Sequence, residues 1–195
     1  EGTDLYVAQS GSPIKLLRIT LQTGTVTSYS TSGSSSSWFN SMEKVGDSLF
    51  ATSSSSIYEI ELSGTNAQVN TLNLSGLDSS TNIYFDKMTA FGEDLYLTTS
   101  SGGYAIYNVS LEEDVNGTLT GTVAELEPTF TQESYYNTGT EAPLSYVGGM
   151  DTDGTILYVV DGSNQLIRKI DLQTTNITTL AGKLQNFADG TGENA

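Results

Sequence analysis

Four times along this chain a leucine is followed by an aromatic residue: Leu5-Tyr6, Leu49-Phe50, Leu95-Tyr96 and Leu157-Tyr158. Before the last three pairs a methionine stands seven residues upstream of the leucine, at Met42, Met88 and Met150, and the chain has no other methionine. Downstream of each pair come a β-branched residue, one variable position and a leucine: Ile19-Thr20-Leu21, Ile60-Glu61-Leu62, Val109-Ser110-Leu111 and Ile170-Asp171-Leu172. The leucine-to-leucine intervals are 44, 46 and 62 residues. Recurrence at such a period means one supersecondary unit repeated, so the architecture follows before any local detail. A repeat fold usually supplies a rigid surface and not one dedicated pocket.

Each unit reads as four short strands. The first carries the methionine, as in 39–45 and 85–91. A tight turn follows at Gly46-Asp47, Gly92-Glu93 or Asp153-Gly154, residue types that tolerate the positive φ of hairpin turns. The second strand carries the leucine–aromatic pair. The third covers 15–21, 57–62, 104–111 and 166–172, and the fourth 25–29, 68–72, 122–126 and 177–180. Alternating polarity and β-branched residues support strands throughout, and no ten-residue stretch has helical periodicity. Four-stranded units of about 40–50 residues are the signature of propeller blades. The expected fold is therefore all-β: a β-propeller of four-stranded antiparallel blades. About four blades are expected, near 1–37, 38–80, 81–127 and 144–182. Residues 128–143 form an insertion with a Tyr135-Tyr136 pair, and a loop that long is either functional or a plain excursion. Residues 183–195 would begin a further blade or supply a closing strand.

Composition removes many functions. Net charge is −16, from 23 acids against 7 bases. Such a surface repels phosphate backbones and anionic head groups, which argues against nucleic-acid binding. No apolar run reaches the roughly 18 residues that span a membrane. The chain has neither cysteine nor histidine. Disulfides, thiolate nucleophiles and cysteine zinc sites are excluded, as are the commonest general base and the commonest transition-metal ligand.

The last unit adds a resemblance. Residues 151–182 read DTDGTILYVVDGSNQLIRKIDLQTTNITTLAG, and NFADGTGENA closes the chain. This resembles the NHL-repeat family of propellers, whose pattern runs D-G-x-x-LYV-A-D-x-x-N-x-x-IRKID, a T-x-LAG strand, then an ADGTG lead into the next blade. The match is close over 151–195 and loosens in the first three units, which keep the spacing but lose the DxxNxxIRK core. The resemblance implies that Asp161 and Asn164 brace the loop after the second strand, and that Asp151-Thr152-Asp153-Gly154 and Asp189-Gly190 are turns and not calcium loops. It also implies more blades than this chain holds, typically six. The expectation is a piece of a larger propeller. In the alternative, a closed four-bladed ring, residues 183–190 would fill the first strand that the first unit lacks.

No nucleophile elbow, phosphate loop or metal-binding histidine set is present, so no catalytic, cofactor or metal residues are assigned. First-strand positions expected to face a central channel are Ser41, Glu43, Lys87, Gly148 and Gly149, a poor ligand shell. Arg168-Lys169, with Lys15 and Arg18, are expected to lay their stems over apolar neighbours and reach surface acids. Glycosylation sequons begin at Asn73, Asn108, Asn116 and Asn176; chance occurrence is the competing explanation. The functional expectation is a non-enzymatic extracellular or cell-surface scaffold. It would bind a protein partner or self-associate through strand exchange at its open ends, with attached glycans. The alternative is a propeller hydrolase or lyase with a central calcium.

Overall fold

The structure is a computed structural model that describes residues 3–33, 37–77, 83–99, 105–126 and 144–182. Over these the chain is β-strand and turn, without helix. The first unit supplies β1 (Asp4–Gln9), β2 (Lys15–Thr20) and β3 (Thr25–Gly33). The second supplies β4 (Ser41–Val45), β5 (Ser48–Ser53), β6 (Ser56–Ser63), β7 (Asn66–Thr71) and the short β8 (Asn73–Ser75). The third supplies β9 (Phe85–Phe91), β10 (Asp94–Thr99), β11 (Ile106–Glu113) and β12 (Leu119–Leu126). The fourth supplies β13 (Val147–Thr152), β14 (Ile156–Asp161), β15 (Leu166–Asp171) and β16 (Ile177–Gly182).

Register explains the recurring motif. The leucine of each pair lies opposite the downstream β-branched residue on the next strand: Leu5 with Ile19, Leu49 with Ile60, Leu95 with Val109 and Leu157 with Ile170. The two positions are therefore cross-strand partners on one sheet face. Because side chains alternate, leucine and aromatic point to opposite faces. Leu49 and Ala51 pack toward the first unit with Leu16 and Tyr29, whereas Phe50 packs toward the third with Leu95, Leu97 and Met88. Tyr96 in turn meets Leu157 and Val159 of the fourth unit. Between successive units the leucine of the later packs on the earlier and the aromatic of the earlier on the later, so three clusters of buried residues weld four units in sequence. Met88 lies in the central cluster, and Met42 and Met150 pack against its neighbours.

Strand pairing departs from the expected four-stranded units at two places. The sheets have seven, five and four strands, in the orders β1-β2-β3-β7-β6-β5-β4, β8-β12-β11-β10-β9 and β13-β14-β15-β16. The seven-stranded sheet is two antiparallel meanders joined by parallel pairing of Ser30–Gly33 with Asn66–Val69. In the same way Asn73–Ser75 adds in parallel to Thr120–Thr122. At both junctions the chain leaving an outermost strand runs on along the outer edge of the next unit. Sequence pattern alone ends these strands at Tyr29 and Leu72. The extensions are polar, Ser-Thr-Ser-Gly and Asn-Leu-Ser-Gly, and only the neighbouring edge makes strands of them. Both end on a glycine with left-handed φ, 104° at Gly33 and 85° at Gly76. A Cβ there would come within 2.1 Å of the Val69 carbonyl oxygen and 2.3 Å of that of Val123. The close backbone approach requires glycine.

Candidate functional site

Two ends of the array differ in chemistry. The innermost strands β4, β9 and β13 lie side by side, with β9 in the middle. At one end each continues through a hairpin turn into the second strand. At the other end each begins, beside the turns that join second and third strands.

The hairpin end is acidic. Asp47, Glu93, Asp114 and Asp153 occupy its turns, with Glu112, Glu113 and Asp171 alongside. Three of these carboxylates organise their own turns. Asp153 Oδ1 accepts the amides of Ile156 (2.8 Å) and Thr155 (2.9 Å), and its Oδ2 accepts the Tyr158 hydroxyl. Those amides, Ile156 first, hold the Asp153 carboxyl below the usual carboxylate range. Asp114 is lowered by the Thr118 and Asn116 amides, and Asp171 by the amide and hydroxyl of Thr174. Asp151 and Thr152 thus end β13, and Asp153-Gly154 forms the hairpin turn with the oxygens of Asp153 engaged within it. Between the second and third units this end opens into two adjoining cavities of about 870 and 560 Å³. They share Ser48, Glu59, Glu113 and Leu119, and no basic residue lines them. Two of the glutamates are held in place, Glu59 by the Ser48 hydroxyl at 2.9 Å and Glu61 by the Asn70 amide at 2.6 Å.

The opposite end carries aromatic rings. Trp38, Tyr84 and Tyr146 stand four residues before Met42, Met88 and Met150, the same position in three successive units. They are exposed to the same degree: 48%, 47% and 48%. Their backbones are well anchored. The Gly162 amide donates to the Tyr146 carbonyl at 2.7 Å, and a Cβ at Gly162 would come within 3.1 Å of the Tyr146 ring. Asn40 ties the second unit to the third through the Phe85 carbonyl (2.8 Å), and Ser41 Oγ accepts the Met88 amide (3.2 Å). Beside Trp38, the Phe39 ring packs on Tyr58 with centroids 5.8 Å apart. No charged residue occurs in the described lead-ins and turns of this end, residues 10–14, 37–40, 54–55, 83–84, 105, 144–146 and 162–165. Sequence reasoning passed over these rings. The signal was there, as an aromatic at a fixed distance before each methionine.

The expected channel positions scatter. Ser41 is engaged with the third unit, Lys87 pairs with its neighbour Asp86 at 3.0 Å, and Gly148 lies at a β-bulge against Val160. Glu43 is half-buried; burial, and secondarily the Asp151 carboxylate, raise its pKa. Glu43 in β4 thus feels Asp151 in β13, two units along, as it would where inner strands curl round a common axis. Among the described residues no three His, Cys, Asp or Glu side chains converge as a metal site.

The fourth unit holds a polar lock. Asp161 Oδ1 accepts the Ser145 amide (3.0 Å) and hydroxyl (2.6 Å). Its Oδ2 accepts Asn164 Nδ2 at 2.9 Å and Arg168 Nε at 3.2 Å. Arg168 Nη1 reaches the Thr179 hydroxyl at 3.1 Å. Asp161 and Asn164 therefore brace this loop. Arg168 corrects the expectation of a surface cation: its side chain and that of Asp161 are fully buried. A buried guanidinium needs a paired, hydrogen-bonded partner, which the alternation of residues alone does not reveal.

Of the sequons, Asn73, Asn116 and Asn176 have exposed side chains, in β8, in the β11–β12 turn and before β16, while Asn108 is half-buried in β11 and accepts the Ser110 hydroxyl. The insertion 128–143, residues 183–195 with Asp189-Gly190, and Ser34 to Ser36 lie outside the described residues. Among the described residues no helix is long and apolar enough to cross a membrane.

No protein-family profile matches the chain, and no curated protein matches it. Solved structures do. A candidate 6-phosphogluconolactonase from Bacteroides uniformis aligns with a TM-score of 0.57 at 14% identity, over 96% of this chain and 56% of its own. A candidate 6-phosphogluconolactonase from Bacteroides fragilis aligns at 0.51 and 15%, over 97% and 56%. A luciferin-regenerating enzyme aligns at 0.52 and 9%, over 92% and 57%. This chain spans little more than half the length of each. At these identities the likeness shows the fold alone, and the fold is that of a β-propeller.

Proposed function

We propose that this chain is a non-catalytic, extracellular or cell-surface propeller whose aromatic end binds a partner. The observation that carries the reading is the set of three half-exposed rings at one repeat position, beside described turns that carry no charge, in a chain of net charge −16. Single exposed apolar side chains are ordinary, but a set of aromatics presented together marks an interaction surface. The rigid backbone beneath them limits the ordering cost of binding. The four-bladed reading and the NHL-like character of the last unit belong to the same proposal, supported by the repeat register and by the Asp161–Asn164 brace. The acidic surface and the exposed sequons at Asn73, Asn116 and Asn176 support an extracellular setting.

Amide exchange tests the binding reading. A surface extract from the source organism is expected to protect residues 37–40, 83–86, 144–147 and 162–165. Protection confined to the acidic end, or none at all, would sink it. Intact mass before and after deglycosylation tests the sequons; a single mass near 20.7 kDa from the native source would remove attached glycans from the proposal.

A second element is self-association. The first unit exposes Leu5, Val7 and Val26, and the fourth exposes Val160 and Ile167. Between successive units, a leucine face always meets an aromatic face. Among the described residues the leucine face of the first unit and the Tyr158 face of the fourth are left over, and they would fit each other on separate copies. The inner edge of β1, unpaired among the described residues, would take an added strand. Sedimentation that stays monomeric at high concentration would remove this element, as would unchanged assembly after truncation beyond Leu180.

A further inference from the structure

The binding reading above leaves the ligand open, and the chemistry of the aromatic end narrows it. We infer that this end is a binding platform for a neutral polysaccharide, with Trp38, Tyr84 and Tyr146 as its stacking surfaces; the inference rests on the binding reading. Three features point the same way. The rings recur at one position in successive units, so they present apolar faces at a regular step, which suits a ligand that itself repeats. Their surroundings carry neutral hydrogen-bonding groups: Asn40, Ser55, Ser163 and Gln165 are all exposed at this end. The described turns of the end hold neither acid nor base, Lys15 borders the turn at 10–14, and Asp86 and Lys87 beside Tyr84 pair with each other at 3.0 Å, so a charged ligand finds little counter-charge.

A pyranose ring matches that environment. Its C–H face is apolar and flat and packs on an aromatic ring, while its hydroxyls need neutral donors and acceptors at the rim. A protein partner would call for a contiguous apolar centre, typically with Arg or Met among the aromatics. The described segments here contain neither residue. The acidic cavities at the other end are unsuited to the same ligand, because carboxylates line them without any cation.

Soluble hydroxyethylcellulose, starch, galactomannan and laminarin serve as probes in native affinity electrophoresis. Trp38, the one tryptophan of the chain, gives a second readout by fluorescence. At least one polymer is expected to retard the protein and shift Trp38 emission. Tyr84→Ala and Tyr146→Ala are each expected to weaken binding roughly three- to tenfold, the size of one aromatic contact. Combined with Trp38→Ala they should abolish it. Tyr84→Phe and Tyr146→Phe keep the ring and should retain most of the affinity, which guards against a triple variant that fails to fold. Retardation by none of the four polymers, or equal retardation of a folded triple variant, overturns the inference. Extract protection at this end that survives periodate and is lost to protease would also overturn it, while leaving the binding reading standing. Absence of any protection would instead remove both.

Discussion

Leu5 and Leu95 hold the same place in the same motif, yet Leu95 is fully buried and Leu5 is 50% exposed. Both face the preceding unit. Leu95 finds Phe50 and Ile57 of the second unit there, and Leu5 finds no unit among the described residues. The fourth unit differs from the third in a second respect. In the third unit the last residue of the second strand is Thr99, whose hydroxyl accepts the Ala105 amide at 3.3 Å. In the fourth unit the same position is Asp161, the centre of a buried ionic network. An inner unit is held by apolar surface on both faces. Among the described residues the fourth has one such face, and it adds a charged lock of its own. Local sequence can therefore repeat while the forces holding each copy differ.

Four predictions break or sharpen that comparison, the largest first. Asp161→Ala strands the Arg168 charge in the interior and should cost about 3–5 kcal/mol in denaturant unfolding, with the loss of amide protection concentrated in β14 and β15. Thr99→Val, the counterpart in the third unit, should cost about 1–3 kcal/mol. Equal losses would mean that the ion pair adds nothing particular to the last unit.

Leu95→Ala should cost about 2–5 kcal/mol, because it removes buried methyl groups and leaves a cavity between units. Leu5→Ala in the isolated chain should stay within about 0.5 kcal/mol. A large loss at Leu5, growing with protein concentration, would show that another copy covers that face.

Gly76→Ala should destabilise by more than about 1 kcal/mol, through left-handed φ and collision with the Val123 backbone. Gly24, also left-handed but with open space around it, should tolerate alanine better. If the two substitutions were equal, the edge added by β8 would contribute little.

The smallest effect is one of pH. The folded pKa of Glu43 is raised, so its charge opposes folding at neutral pH, and the opposition fades as pH falls through the raised value. Glu43→Gln should raise the melting temperature at pH 7 and lose that gain on acidification. Asp153 has the opposite sign. Its folded pKa is lowered from 3.8, so its stabilisation is present above the unfolded value and is lost as pH falls through the lowered one. Asp153→Asn should lower the melting temperature at pH 7 and converge with the parent protein in acid. Calorimetry at stepped pH reads both, and parallel curves would contradict the assigned signs.

The repeat, the strands, the hairpin turns and the all-β fold class were legible in the residues. Each follows from local periodicity and turn chemistry, which operate over a few positions. The Asp161–Asn164 brace was legible through resemblance, because it too is local. The aromatic surface was only half legible: the spacing of Trp38, Tyr84 and Tyr146 from the methionines can be read, but not their exposure. Arg168 was misplaced because its neighbours on β15 alternate in the same way whether the intervening face is covered or open.

By itself the sequence determined that every second strand would present a leucine to one face and an aromatic to the other, since side chains alternate with a period of two. Only the tertiary structure decided what covers each face. Stacking puts Phe50 against the third unit, leaves Leu5 half-exposed, buries Arg168 on Asp161 and draws the polar segments 30–33 and 73–75 into parallel edges. It also brings three rings from residues 38, 84 and 146 to one end. These outcomes depend on contacts between residues far apart in the chain, and no local pattern encodes which distant surface will arrive.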